Sequence, residues 1–321
     1  MPLFGNNETP QQRLARQAQQ DQSMQSLQQG KLPVLANLRL QEHVRNPEVH
    51  FTSDLSVNEL LLTREAGYRP VCQVMGSSIY HIGWQFSPFY GSGELGVLTH
   101  AYWHARMLAL SRLQQEARMV KAHGVIGVRI DRHTYDWGQN LVDFSVIGTA
   151  VRIPNEPPPE HPFLSDLSGQ EFWALKNAGF YPVGFAFGNC VWYEVASWAT
   201  MAANNQATSY GYGYAGNTSW VNQELTDFTQ AMYQARHLSM TRLQEECYRM
   251  GASGVVGADI EKEIMPVERD LGNDQHRTDL IVSFQAFGTA VVQVDDNMIP
   301  SLDYKVLLSD PPSEGKIFLD L

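Results

Sequence analysis

His100 and His104 stand four residues apart, the spacing that places two imidazoles on one face of a helix within reach of a single ion. His81, His123 or Glu94 could supply a third ligand for a divalent metal. Arg112 and Glu116, and again Arg242 and Glu246, have the same spacing. Each pair reads as an anion clamp, as an intrahelical ion pair, or as a pair reaching a neighbouring subunit. The aromatics of "SIYHIGW" and "CVWYEV" could line a pocket for a flat ligand, or serve as core and interface. A catalytic set is not evident. "GSS" at Gly76 to Ser78 lacks the G-x-S-x-G context of a nucleophile elbow, and no HExxH, P-loop or dinucleotide fingerprint occurs. "GYGYAG", Gly211 to Gly216, reads as a Gly/Tyr surface loop whose rings could stack on a ligand or partner.

The elements that would position these residues are written twice. "ARMLALSRLQQEARMVKAHGVIGV" from Ala105 returns as "ARHLSMTRLQEECYRMGASGVVGA" from Ala235, an offset of 130. "SDLSVNELLLTREAGYRPV" from Ser53 matches "SDLSGQEFWALKNAGFYPV" from Ser165 at an offset of 112. "FSVIGTAV" from Phe144 matches "FQAFGTAV" from Phe284 at an offset of 140. The steps imply insertions of 18 and 10 residues in the second copy, expected as polar loops near "ATMAANNQATSYGYGYAGNTS" and "MPVERDLGNDQHR".

Each copy reads as helix, strand, long helix, strand, strand. Ser56 with Glu59, and Ser168 with Glu171, are capping boxes. Gly67 and Gly179 stop those short helices, and Gly124 and Gly254 are expected to stop the long ones. Apolar residues at three- and four-residue spacing, Leu98 to Val120 and Leu225 to Met250, define the long helices. Val142, Phe144 and Val146 alternate with polar neighbours, so one face of the last strand is buried. One long helix with several strands is an α+β unit, the helix laid on a mainly antiparallel sheet.

This alignment also tests the chemistry. His100 and His104 correspond to Gln230 and Gln234, and His81 to Tyr193. Cys72, Cys190 and Cys247 correspond to Gly184, Ser78 and Ala117. The copies therefore repeat helix stripe, glycines and strand pattern, and differ in histidines and cysteines. What is duplicated is a building unit.

The predicted organisation is a Gln-rich arm (1–50), a first domain (51–153), a stiff Pro-rich linker (154–162), a second domain with insertions (163–294) and a tail (295–321). The arm is a solvated helix or one that orders on a neighbouring subunit. The tail's apolar clusters, around Val306 and Ile317, suit docking on a groove or sheet edge. The net charge of −11, from 34 acidic and 23 basic residues, argues against nonspecific nucleic-acid binding. No apolar run is long enough for a membrane span, no secretory signal opens the chain, and three scattered cysteines make no disulfide framework. A cytoplasmic protein is expected.

The long helix ending in "HGVIGV" or "SGVVGA", followed by a strand pair closing on "GTAV", resembles the YbjQ-like family, named for heavy-metal binding. The resemblance covers both units, roughly Ser53 to Ile153 and Ser165 to Val294. It implies two tandem domains of dodecin-subunit-like fold and closed rings, typically pentamers of single domains. A thin unit with unpaired sheet edges buries them by assembling with neighbours. The expected function is thus that of a non-enzymatic, ring- or shell-forming homo-oligomeric structural protein. The alternative is a module holding a metal ion or flat ligand at subunit interfaces.

Overall fold

The computed structural model describes residues 9–46, 49–82, 91–134, 141–205, 222–272 and 275–294. The Gly/Tyr loop and the tail clusters lie outside them.

Two helices precede the repeats, α1 (Pro10–Gln28) and α2 (Val34–Arg45). Thr9 and Gln12 cap α1 reciprocally, but α1 buries no residue, as its weak apolar stripe implies. Helix α2 packs on the long helix of the first unit and buries Leu40.

The first unit contains α3 (Val57–Glu65), β1 (Arg69–His81), β2 (Gly93–Glu94), α4 (Gly96–Met119), β3 (Gly124–Thr134) and β4 (Leu141–Arg152). The second contains β5 (Phe163–Leu164), α5 (Gly169–Asn177), β6 (Phe180–Glu194), α6 (Trp198–Asn205), α7 (Thr226–Arg249), β7 (Gly254–Gly272) and β8 (Gln275–Gln293). Both capping boxes form, and Gly67 and Gly179 take the left-handed backbone that ends α3 and α5.

The long helices stop earlier than Gly124 and Gly254. Helix α4 ends at Met119 with Lys121 left-handed, and α7 ends at Arg249 with Gly251 left-handed; Gly124 and Gly254 open the next strands. The insertion around "MPVERDLGNDQHR" also differs from expectation. It lengthens the β7–β8 hairpin to 19-residue strands, against 11 and 12 residues in β3 and β4. Met265, Val267 and Arg269 are half-buried while Pro266, Glu268 and Asp270 are exposed. That is a period-two strand signal inside a polar stretch.

The sheet orders are β1-β4-β3-β5 and β2-β6-β8-β7. All pairings are antiparallel except the two-residue β3–β5 contact. The registers are duplicates. Bulges fall between Pro70 and Cys72 and between Pro182 and Gly184, and again between Ile126 and Arg129 and between Val256 and Asp259.

Helix and sheet touch through small residues. Ala105, Ala109, Leu113 and Ala117 form the buried stripe of α4; Ala235, Ser239, Leu243 and Cys247 form that of α7. The closest approach is at Gly76 and Gly188. A Cβ on Gly76 would lie 1.9 Å from the Ala109 carbonyl, and one on Gly188 2.1 Å from that of Ser239. The largest core spans both units, joining Leu110, Val128 and Phe144 to Phe185, Phe187, Val191, Tyr193 and Phe287.

Candidate functional site: the joint between the units

The strand orders contain an exchange. Strand β2, in the chain segment of the first unit, pairs with β6 of the second; β5, at the start of the second, pairs with β3 of the first. Each sheet thus takes its fourth strand from the other unit. A two-residue strand cannot stand alone, so β2 and β5 exist only through this joint.

Polar contacts fix the joint. The Leu95 amide donates to the Val191 carbonyl (2.7 Å), and the Val191 amide donates to Thr99 Oγ1 (3.0 Å). Asn189 Nδ2 donates to the Thr99 carbonyl (2.8 Å). Arg242 donates Nη1 to Glu94 Oε1 (2.6 Å) and Nη2 to Glu94 Oε2 (2.9 Å), a bidentate fork, while Nη1 also meets the Asn189 carbonyl (2.7 Å). Gln114 Nε2 donates to the Pro162 carbonyl (2.9 Å), and Arg132 pairs with Glu263 at 2.6 Å. The Phe163 ring lies flat over Gly124, where a Cβ would come within 2.3 Å of it.

Arg106 sits at the centre. It is fully buried, donates to Gln285 Oε1, and lies 3.9 Å from the Phe187 ring centroid, with Phe144 and Phe287 on either side. Burial pushes its guanidinium pKa down to about 9. Sequence reading matched Arg106 with Arg236 but gave no sign of this burial, because its partners come from the other unit.

The i,i+4 arginine–glutamate pairs do not form within their helices. Arg112 donates to the Ser77 carbonyl (2.6 Å) and the Leu27 carbonyl (3.2 Å), and Glu116 accepts from Arg39 (2.6 Å) and the Met75 amide (2.9 Å). Arg242 crosses to Glu94, and Glu246 pairs with Arg249. The sheet beneath offers carbonyls nearer than the next helical turn.

His100 is exposed and His104 half-buried beside Trp103, their ring centroids (Trp103, His104) 5.0 Å apart. Desolvation first, then the neighbouring His100, lower the His104 pKa. The candidate third ligands do not gather on His100 and His104. Glu94 holds Arg242, His123 Nδ1 accepts from the Ile153 amide, and His81 stands exposed at the end of β1. Among the described residues, no three His, Cys, Asp or Glu side chains gather around a point where an ion could sit. All three cysteines are free and buried. Burial pushes the Cys72 and Cys247 thiols up to about 11 and Cys190 to about 12, which keeps them protonated and poor ligands. His100 and His104 thus have no third donor among the described residues.

One polar cluster recurs in both units. Ser53, Asp54 and Thr149 are matched by Ser165, Asp166 and Thr289, and each threonine hydroxyl donates to the aspartate. No histidine joins either cluster; the clusters tie the segment before α3 or α5 to the last strand. In the first unit Arg129 pairs with Asp54 at 2.5 Å. The matching position in the second is Asp259, and there Asp166 is pushed up to about 6, by desolvation above all, with Glu171 and Asp259 adding repulsion. The native state thus holds the Asp166 proton more tightly than an unfolded chain, whose carboxyl keeps its ordinary 3.8. That stabilisation is complete below the unfolded value and is lost as pH rises through about 6. Asp259→Arg should add about 1 kcal/mol at pH 7.5 and nothing at pH 4. Urea unfolding at the two pH values checks this; an equal gain at both would contradict it.

A helix-on-sheet unit, duplicated and interlocked by strand exchange, defines a tandem α+β protein whose units build on one another. A family model described as "Putative heavy-metal-binding" (YbjQ) matches residues 72–154 and 203–294, more than half of the chain. The chain belongs to the YbjQ-like family. It is also 43% identical over 222 residues to "Encapsulin nanocompartment protein Rv1762c" of Mycobacterium tuberculosis (strain ATCC 25618 / H37Rv). That match covers 67% of this chain and 79% of the relative.

Proposed function

We propose that this protein is a non-enzymatic structural protein that assembles with itself into rings or a shell. The strand exchange between β2 and β6 and between β5 and β3 carries this reading. A unit that completes its sheet only with a neighbour's strand is built to associate, and the two units of one chain make one such association. The relative named as an encapsulin nanocompartment protein supports it. Units bounded at 51–153 and 163–294 and joined by the proline-rich 154–162 suit a repeating array, since the short link raises the effective concentration of each unit for the other. The net charge of −11 favours a self-assembling surface over a nucleic-acid partner, and three free buried thiols suit the cytoplasm. Mass photometry at micromolar concentration should give particles several times the 36.1 kDa chain, with closed rings or shells in electron micrographs. A uniform 36 kDa species would refute the proposal.

The second reading, a metal or flat ligand held between copies, rests on the shared helix face of His100 and His104 and the desolvation of His104. Elemental analysis of the purified assembly tests it. Stoichiometric metal that is lost in His104→Ala supports this reading; assembly without metal leaves the structural one.

A further inference from the structure

The joint inside the chain has two outer ends, and they carry its two halves. In the joint, the first unit contributes Glu94, Leu95, Thr99 and the Gly124 hollow, and the second contributes the Val191 edge, Arg242 and Phe163. By the repeat offsets, the second unit also carries the first set, as Glu224, Leu225, Thr229 and Gly254. The first unit also carries the second set, as Ile79, Arg112 and Phe51.

Several of these outer residues are exposed where their equivalents are covered, while Arg112 itself is buried. Val191 is 0% exposed and Phe187 3%; Ile79 is 67% and Met75 43% exposed. Phe163 lies against Gly124, whereas Phe51 is 54% exposed and a Cβ on Gly254 would meet no described atom within 4 Å. Glu224 is exposed, and Arg236 is exposed where Arg106 is buried. The donor segment is already shaped. Leu225 holds φ −86 and ψ 86, against −85 and 79 for Leu95, although Leu95 is bonded to the partner strand and Leu225 is not. The receiving face is shared with the arm. A groove of about 780 Å³ runs beside β1, lined by Ser77, Ile79, Leu108 and Arg112 together with arm residues. Arg112 holds the Ser77 carbonyl as Arg242 holds that of Asn189, and its buried Nε has no partner among the described residues. At Nη2, where Arg242 has Glu94, Arg112 has the Leu27 carbonyl as its partner among the described residues.

Resting on the self-assembly reading, we propose that chains join head to tail by repeating the internal joint. The partner is a second copy of this chain. Its Glu224 forks onto Arg112, its Leu225 and Thr229 bond the backbone of Ile79, and its Gly254 receives Phe51. The Glu224 carboxylate takes the place of the Leu27 carbonyl on Arg112. Such an interface is heterologous, so repetition closes into a ring in which internal and external joints alternate.

The test uses the full chain and mass photometry across a dilution series, with thermal melting of each variant as a fold control. Glu224 is exposed and Gly254 is open, so Glu224→Arg and Gly254→Leu leave the single chain folded. Each should raise the concentration needed for assembly at least about tenfold, the first by charge repulsion and the second by filling the Phe51 seat. The exposed member of the pair carries the charge test, because reversing Arg112 would set a carboxylate against the Ser77 and Leu27 carbonyls that it now holds. Wild-type assembly from both single variants would overturn the proposed interface and leave the self-assembly reading standing. A monomeric wild type would overturn both.

Discussion

Replacing Gly188 with alanine should destabilise the folded chain by on the order of 3 kcal/mol or more. The new methyl group would sit 2.1 Å from the Ser239 carbonyl oxygen and 2.5 Å from the Leu243 amide nitrogen. Both are backbone atoms of α7, so no rotamer change relieves the clash. Either the helix lifts off the sheet or β6 bends, and each disturbs the buried stripe of Ala235, Ser239 and Leu243. Gly76→Ala should behave alike, because its Cβ would meet the Ala109 carbonyl at 1.9 Å. Gly254→Ala is the contrast: with no described atom within 4 Å, it should change the stability of the isolated chain by less than about 1 kcal/mol. Urea unfolding of the three variants checks the set. A Gly188→Ala protein as stable as wild type would mean that helix and sheet are not packed this closely.

That contact was half legible in the sequence. Gly76 and Gly188 align inside matched strands, which marks them as a bulge or a close approach. The structure makes them a close approach, with the register bulges six to four residues earlier, at Pro70–Cys72 and Pro182–Gly184. The capping boxes, the α+β class and the repeated order were also legible, because each depends on residues adjacent in sequence. The β7–β8 extension was not, since its charged exposed face made a period-two strand look like a loop. The long-helix stops were misplaced because Lys121, not a glycine, takes the left-handed position after α4.

The joint was hidden for a deeper reason. Its anchors are ordinary in local sequence: Glu94 precedes a helix, Arg242 is one of several helical arginines, and Phe163 follows a proline. They acquire meaning only when the other unit arrives. Comparing the copies pointed away from the histidines, which one copy lacks, and toward the pairs Arg112 with Glu116 and Arg242 with Glu246; the match of Glu94 with Glu224 gains meaning only from the joint. A residue retained in both units, yet bonded across the joint in only one, is what the proposed contact with the next copy rests on.

Arg106 puts a number on the internal joint. Arg106→Ala should cost about 3 kcal/mol, because it opens a void among Phe144, Phe187 and Phe287 and leaves Gln285 Oε1 without its donor. Arg106→Met combined with Gln285→Leu should recover stability to within about 1 kcal/mol of wild type or exceed it, since apolar groups of similar volume avoid the desolvation that pushes the arginine down to about 9. Urea unfolding followed by both far-ultraviolet circular dichroism and tryptophan fluorescence reads the result. If the double variant is as unstable as Arg106→Ala, the charge itself holds the units together. If Arg106→Ala is neutral, the guanidinium is not enclosed. The expected order implies that the buried charge is kept at a cost in stability. The three rings and Gln285 accept it in one alignment of the units, and a slipped joint would bury it without a partner. Arg236 would face Ser145 of the next copy by the same offsets, where no glutamine waits, so internal and external joints are distinguished by what each arginine meets.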